Sequence, residues 1–247
     1  MKLSIIIPVF NEDKTVAQVL DKVSKLKIPG VEKEIIVIDD GSLDETWSKI
    51  RNWKLARPAT LREAGEIGSS KVLRHAKNLG KGTAVRTGIN HATGGYIIIQ
   101  DADLEYDVND IPRLVHEIKS KNDIIYGTRL ARLPHLTDEE RRLQFLLHYF
   151  GNRFLSLVTS ILYGQWITDM ETCYKLFPRS EVRDITLRSK RFDFEPEITS
   201  KLLKKGLKIR EIPIKTKPRG YEEGKKLNTI RDGTIALWTL IKYRFVD

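Results

Sequence analysis

Only one cysteine, Cys173, occurs in the 247 residues, which excludes an intramolecular disulfide and a cysteine-built zinc site. The five histidines are scattered, without metal-ligand spacing. Long apolar runs are scarce as well. The opening stretch MKLSIIIPVFNE has too short an apolar run for a signal peptide and is broken by Pro8, so a reducing, cytoplasmic location is expected. A bilayer span needs about 20 mostly apolar residues. Leu143–Tyr163 is interrupted by His148, Asn152, Arg153, Ser156, Thr159 and Ser160, and no transmembrane helix is predicted. The dinucleotide fingerprint GxGxxG and the phosphate-loop pattern GxxxxGKS/T are both missing. Acidic residues number 33 against 43 Lys and Arg, and the net charge of +10 favours polyanionic partners: nucleic acid, anionic lipid or phosphorylated substrates. The standard aromatic-basic motifs of nucleic-acid binders are absent, so no nucleic-acid partner is expected.

What is present is an alternation of two periodicities. Leu3–Val9, Glu34–Asp39, Lys71–His75 and Tyr96–Asp101 are short, nearly continuous, β-branched apolar runs, the pattern of strands buried on both faces of a parallel sheet. Between them, Thr15–Leu26, Asp44–Trp53 and Gly82–Ala92 read as helices. This order predicts an α/β fold with a doubly wound sheet, in which ligands bind outside the carboxyl ends of the strands. Lys54–Ser70 lacks periodicity and reads as a surface insertion. Further on, Glu195-Pro196-Glu197 opens a helix closed by Gly206, Lys208–Ile214 reads as a strand, and a last helix follows the polar stretch Lys215–Leu227.

The acidic motifs sit at strand ends. Gln100-Asp101-Ala102-Asp103-Leu104-Glu105 follows a strand directly, and its carboxylates are hard oxygen ligands suited to Mg²⁺ or Mn²⁺, although Asp-x-Asp is also common in loops. Asp39-Asp40-Gly41-Ser42 ends another strand, where Asp39 suits a base or ribose and equally suits a turn and helix cap. At Pro8-Val9-Phe10-Asn11-Glu12, Phe10 suits base stacking and Glu12 a ribose hydroxyl, or the segment is an ordinary strand-to-helix turn. Asn78-Leu79-Gly80-Lys81-Gly82 precedes a helix and offers backbone N–H groups for a phosphate cradle.

In this order, PVFNE, VIDDGS, NLGKGTAVRTG, QDADLE, GTR, TDMETCYK, FEPEI and EIPIKTKPR…GKKL resemble the family 2 glycosyltransferases, specifically the polyprenol-phosphate mannosyl- and glucosyltransferase branch, from Met1 to about Leu227. The resemblance implies a GT-A fold, a Rossmann-like α/β/α sandwich with a mostly parallel central sheet, in one domain. Residues 1–127 would bind the nucleotide sugar, 128–227 the acceptor, and 228–247 would form a C-terminal helix. It implies Pro8, Phe10, Glu12, Val37 and Asp39 around the nucleoside, with Asp101, Ala102 and Asp103 at the sugar diphosphate. Asp101, Asp103 and Glu105 would hold Mg²⁺ or Mn²⁺, Glu105 standing where the mannosyltransferases usually have glutamine. Arg129, Arg219 and Lys226, with Lys225 beside it, match the basic residues for the acceptor phosphate. Asp103, Arg129 and Asp169 would be catalytic.

The expected activity is inverting, metal-dependent transfer of a hexose from a nucleoside diphosphate sugar, of the GDP-mannose or UDP-glucose type, to a polyprenyl or dolichyl phosphate. The expected place is the cytoplasmic face of a membrane, held peripherally by an anionic surface or by a membrane-anchoring subunit. Leu143, Leu146, Leu147, Phe150, Phe154, Leu157, Val158 and Ile161 form a stripe that suits a core helix or, as the resemblance favours, a helix on the membrane face preceded by Arg141 and Arg142. The alternatives are an alcohol acceptor, with Asp169 or Glu171 as base, and a module that binds nucleotide sugars without turnover. Cys173 reads as a packed small residue rather than a nucleophile.

Overall fold

The computed structural model describes residues 1–55, 70–130, 143–217 and 228–246. Strand β1 (Lys2–Val9) leads through helix α1 (Val16–Lys25) to β2 (Glu32–Asp39), then through α2 (Thr46–Leu55) to β3 (Ser70–Arg74). Helix α3 (Lys81–His91) returns the chain to β4 (Tyr96–Ile99), and α4 (Ile111–His116) precedes β5 (Ile124–Thr128). The second half holds α5 (Leu143–Tyr163), β6 (Lys175–Pro178), α6 (Arg179–Arg183), α7 (Phe194–Lys204), β7 (Ile209–Pro213) and α8 (Thr229–Phe245). The longer elements of the first half follow from their patterns. In α1, Val16, Val19, Leu20 and Val23 recur on one face and are buried, and in β1 and β2 seven of eight residues are buried, as a sheet covered on both faces requires.

Among the described residues the sheet has seven strands in the order β3-β2-β1-β4-β6-β5-β7, parallel except for β6. The chain winds from β1 outward to β3 and then crosses back to place β4 on the other side of β1, which makes the β1/β4 boundary a topological switch point. Val9 pairs with Asp39, and Ile6 with Ile99, so the carboxyl ends carrying PVFNE, VIDDGS and QDADLE finish side by side. Two strands have no counterpart among the expected elements. β5 showed only as Gly-Thr-Arg, and β6 is four residues long with lysine at one end and proline at the other, too short for a period to register. The Lys175 ammonium is fully buried and donates to the carbonyls of Met170 (2.7 Å) and Thr172 (2.5 Å), which fixes the bend entering this antiparallel strand.

Helix α5 buries polar residues beside Tyr149 and Leu155 and turns much of its apolar stripe outward. Asn152, Ser156, Thr159 and Ser160 are buried, whereas Leu147, Phe150 (58% exposed), Phe154, Leu157 and Ile161 (72%) face outward. The inward hydroxyls are used: Ser156 Oγ accepts from the Met170 N–H and Ser160 Oγ from the Ile167 N–H, both at 2.9 Å. The neighbouring α8 also presents Ile230, Trp238 (66%) and Phe245 (77%) outward. One side of the helix does pack into the core, through Tyr149, Leu155 and the partly buried Val158, while most of the expected stripe faces outward. Arg141, Arg142 and nearly all of the Lys54–Ser70 insertion lie outside the described residues.

Candidate active site

A cleft of about 470 Å³ opens at the switch point. Of the residues expected at the nucleotide sugar, Pro8, Phe10, Glu12, Asp101, Ala102 and Asp103 line it, as do Glu105 and Arg129. Val37 and Asp39 do not. Both are fully buried, Asp39 with Oδ1 accepting the Ser42 N–H (3.2 Å) and Oδ2 3.0 Å from Arg74 Nε. Its neighbour Asp40 is the one that lines the cleft. Arg219, Lys225 and Lys226 lie outside the described residues.

The turns around the cleft are tied to one another. Asn11, in the left-handed region at φ 47°, accepts the Leu43 N–H on its side chain, while its own N–H donates to Ser42 Oγ, both at 2.9 Å. Leu104 adopts φ 64°, a conformation costing an L-residue roughly 1–2 kcal/mol, and it bends the chain between Asp103 and Glu105.

Of the expected phosphate cradle at Asn78–Gly82, three N–H groups are already bonded within the protein. Leu79 and Gly80 donate to the Asp40 carboxylate at 3.0 and 2.7 Å, and Gly82 donates to the Arg191 carbonyl at 3.1 Å. Gly80 is required there: it sits at φ 95°, and a Cβ would lie 2.2 Å from the Lys190 carbonyl oxygen. The loop also delivers Lys81. Its ammonium lies 3.0 Å from Asp101 Oδ1 and 2.9 Å from Glu195 Oε1. Burial pulls its pKa down, but the charges of Asp101 and Glu195 outweigh that and hold it well above the usual lysine range. Glu195 is almost fully buried, lines the cleft, and its Oε2 has no hydrogen-bond partner among the described residues.

The expected metal set is therefore only partly assembled. No three His, Cys, Asp or Glu side chains among the described residues are grouped to hold a metal. Asp101 is turned to Lys81, and Asp103 Oδ1 accepts the Glu105 N–H at 3.0 Å. Two carboxylates on one cleft wall still fit a hard divalent ion that takes its other ligands from diphosphate and water. The ammonium at Asp101 shows that this spot favours positive charge.

Arg129 and Asp169 form one unit. Arg129 Nε and Nη2 bind Oδ2 and Oδ1 at 2.8 and 2.7 Å, and the Arg129 N–H adds a third bond at 2.9 Å. Burial would raise the Asp169 carboxyl, but the Arg129 charge and hydrogen bonds outweigh it and hold it below the usual range. A buried carboxylate with both oxygens occupied cannot readily take a proton from an acceptor, which counts against Asp169 as a base. Glu171 differs. It lines the cleft, its Oε1 is buried without a hydrogen-bond partner among the described residues, and burial together with the Glu195 charge pushes its carboxyl up. Cys173 is buried, with burial and the Asp101 charge raising its thiol well above normal, as a packed residue should be. Lys81, His148, Arg191, Phe192 and Glu195 were not singled out from sequence, although they line the cleft; NLGKG and FEPEI were the signals for the first and last.

The sequence model of Glycosyl transferase family 2 matches residues 4–186. UDP-N-acetylglucosamine–dolichyl-phosphate N-acetylglucosaminyltransferase of Methanococcus voltae is 27% identical over 234 residues, 92% of this chain and 90% of that protein. Dolichol-phosphate mannosyltransferase of Pyrococcus furiosus is 33% identical over 132 residues, 53% of this chain but only 34% of that protein. In architecture the chain resembles glucosyl-3-phosphoglycerate synthase from Mycobacterium tuberculosis in complex with Mn²⁺, uridine diphosphate and glucosyl-3-phosphoglycerate. The TM-score is 0.68 at 18% identity, over 100% of this chain and 81% of that one, a likeness of GT-A fold.

Proposed function

Because the chain belongs to glycosyl transferase family 2, we propose that it transfers one hexose, with inversion, from a nucleoside diphosphate sugar to a polyprenyl phosphate at a membrane surface. The observation that carries this reading is the outward apolar face of α5 and α8. Interfacial helices bury such faces shallowly among headgroups and acyl chains. Among the described residues no helix is long and apolar enough to cross a membrane, so contact there would be lateral. Two of its relatives, by name sugar transferases of dolichol or dolichyl phosphate, support the acceptor class.

In this reading Phe10 stacks on the base, and Glu12 binds the ribose from the end of β1. Asp101 and Asp103 would hold Mg²⁺ or Mn²⁺, which supplies charge neutralisation for the departing diphosphate. Lys81 and Glu195 keep Asp101 aimed. The acceptor phosphate has a second pKa near 6, so it is largely ionised at pH 7 and attacks the anomeric carbon without a protein base. As that bond forms, the bond to the diphosphate breaks, and the nucleoside diphosphate leaves on the opposite side of the sugar. Arg129, with Arg219 and Lys226, would steer the acceptor phosphate. Rate enhancement then comes from positioning and fixed charge.

A second reading has one observation in its favour: Glu171, poised in the cleft with a raised carboxyl, suits a base for an alcohol acceptor. The test is a panel of nucleoside diphosphate sugars with Mg²⁺, offered with undecaprenyl phosphate or with sugar alcohols, and products read by mass spectrometry. A glycosyl phospholipid is the expected product. Transfer to sugar alcohols alone, abolished by Glu171→Gln, would replace the first reading with the second.

A further inference from the structure

Beside the donor cleft lies a second cavity, of about 260 Å³, between α5 and α8. It runs along residues 148–155 of one helix and 229–237 of the other, a length of roughly 10–12 Å at the rise of an α-helix. At the far end the two helices are pinned together, Tyr163 Oη donating to the Leu240 carbonyl at 2.8 Å. The cavity and the donor cleft share His148, Glu171 and Phe192, so the two spaces meet at one junction. Away from that junction the wall carries Phe154, Leu155, Ala236 and Leu237, with Asn152, Asp232 and Thr234 as polar neighbours.

Two glycines make the groove. Gly151 and Gly233 both line it, and a Cβ added to either would meet nothing within 4 Å. Glycine inside a helix is unfavourable relative to alanine, and neither position has a positive φ or a close neighbour that calls for it. Their absent side chains leave open space between the helices. A thin apolar chain lying there would account for both.

We propose that this groove binds the first isoprene units of the acceptor's polyprenyl chain, with the phosphate at the His148–Glu171–Phe192 junction and the remaining chain leaving between the outward apolar faces of α5 and α8. The proposal rests on the lipid-phosphate reading above and specifies where that lipid lies. Continuity of the groove with the donor cleft favours this occupant over a partner helix, because a chain in the groove must end where the sugar is transferred. It also gives the enzyme a ruler: transfer should improve with chain length until the groove is filled.

The experiment compares dimethylallyl, geranyl and farnesyl phosphates as acceptors for the full chain, and labels it with a benzophenone-bearing farnesyl phosphate. Each CH₂ buried is worth about a fourfold gain at full transfer. Even partial burial should therefore raise kcat/KM by tenfold or more from the five- to the fifteen-carbon phosphate. In Gly151→Phe and in Gly233→Phe that ratio should collapse toward one, with the melting temperature held. Photolabel should map to residues 148–155 and 229–237 and be displaced by farnesyl phosphate but not by palmitate. A chain-length ratio unchanged in both variants, label elsewhere, or displacement by palmitate overturns the proposal. So does a fall in melting temperature of both variants, which would mean the chain itself fills the groove. If no donor yields transfer to any prenyl phosphate, the functional reading fails, while the photolabel still decides the groove.

Discussion

Replacing Asp169 with asparagine separates a base from a structural anchor. Asp169 is fully buried and takes three hydrogen bonds from Arg129, whose side chain is 19% exposed. Removing one member of a buried ion pair typically costs 3–5 kcal/mol, because the partner charge is left uncompensated. Arg129 reaches some water, which places Asp169→Asn near the lower end, about 3 kcal/mol. For a chain of this size each kcal/mol moves Tm by about 2–4 °C, so the expected fall is roughly 6–12 °C. Arg129→Gln alone should cost a similar amount. The double variant should cost clearly less than the sum, since the orphaned charge is gone. The difference between wild type and Asp169→Asn should also shrink in acid. The folded pKa is held below the ordinary 3.8, so the stabilisation is present above that value and is lost as pH falls through the folded pKa. Urea melts of the four proteins at several pH values measure all of this. An Asp169→Asn protein that melts like wild type yet has lost transfer would refute the anchor role and restore Asp169 as a catalytic base.

Asp101→Asn and Asp103→Asn should each lower transfer by about 100-fold or more, and a chelator should abolish it reversibly; full activity of both variants in chelator would remove the metal from the account. Phe150→Glu and Ile161→Glu should leave the melting temperature within about 1 °C, because both side chains already face outward. Vesicle sedimentation should show them binding anionic lipid more weakly than wild type, and the wild-type binding should weaken as salt shortens the Debye length below about 8 Å. Glu171→Gln should flatten the pH dependence of stability. The wild-type carboxyl is raised above 4.5, so its stabilising neutral form is complete below that pH and is lost as pH rises through the folded value. Melts from about pH 5 to about pH 9 that stay parallel for the two proteins would contradict the raised carboxyl.

Much of the fold could be read because β1, β2 and β4 are buried on both faces and so appear as unbroken apolar runs. The strand ends that frame the cleft followed from those runs. β6 was hidden because its Lys175 is neutral to no pattern: a buried ammonium satisfied by two carbonyls looks like a surface residue in a sequence. The site was legible where a residue's type matches its task, as at Asp101, Asp103 and Phe10, all on the cleft wall. It was illegible where the partner is distant in sequence. Nothing near Lys81 in the chain reveals that it bridges Asp101 and Glu195, and nothing near Gly80 reveals that its N–H is already bonded to Asp40. The direction of α5 was ambiguous for a related reason. An apolar stripe does not say which side of it is solvent or lipid, and the decision came from Ser156 and Ser160, whose hydroxyls accept backbone N–H groups inside.

The central claim is that the attacking atom is a phosphate oxygen on a membrane lipid. A head-to-head assay of undecaprenyl phosphate and undecaprenol, in the same vesicles with Mg²⁺ and the donor found by screening, tests it with the lipid chain held constant. The account predicts glycosyl phosphate product from the first and none from the second, with activity following ionisation of the acceptor phosphate near pH 6. Equal or greater transfer to the alcohol would contradict it.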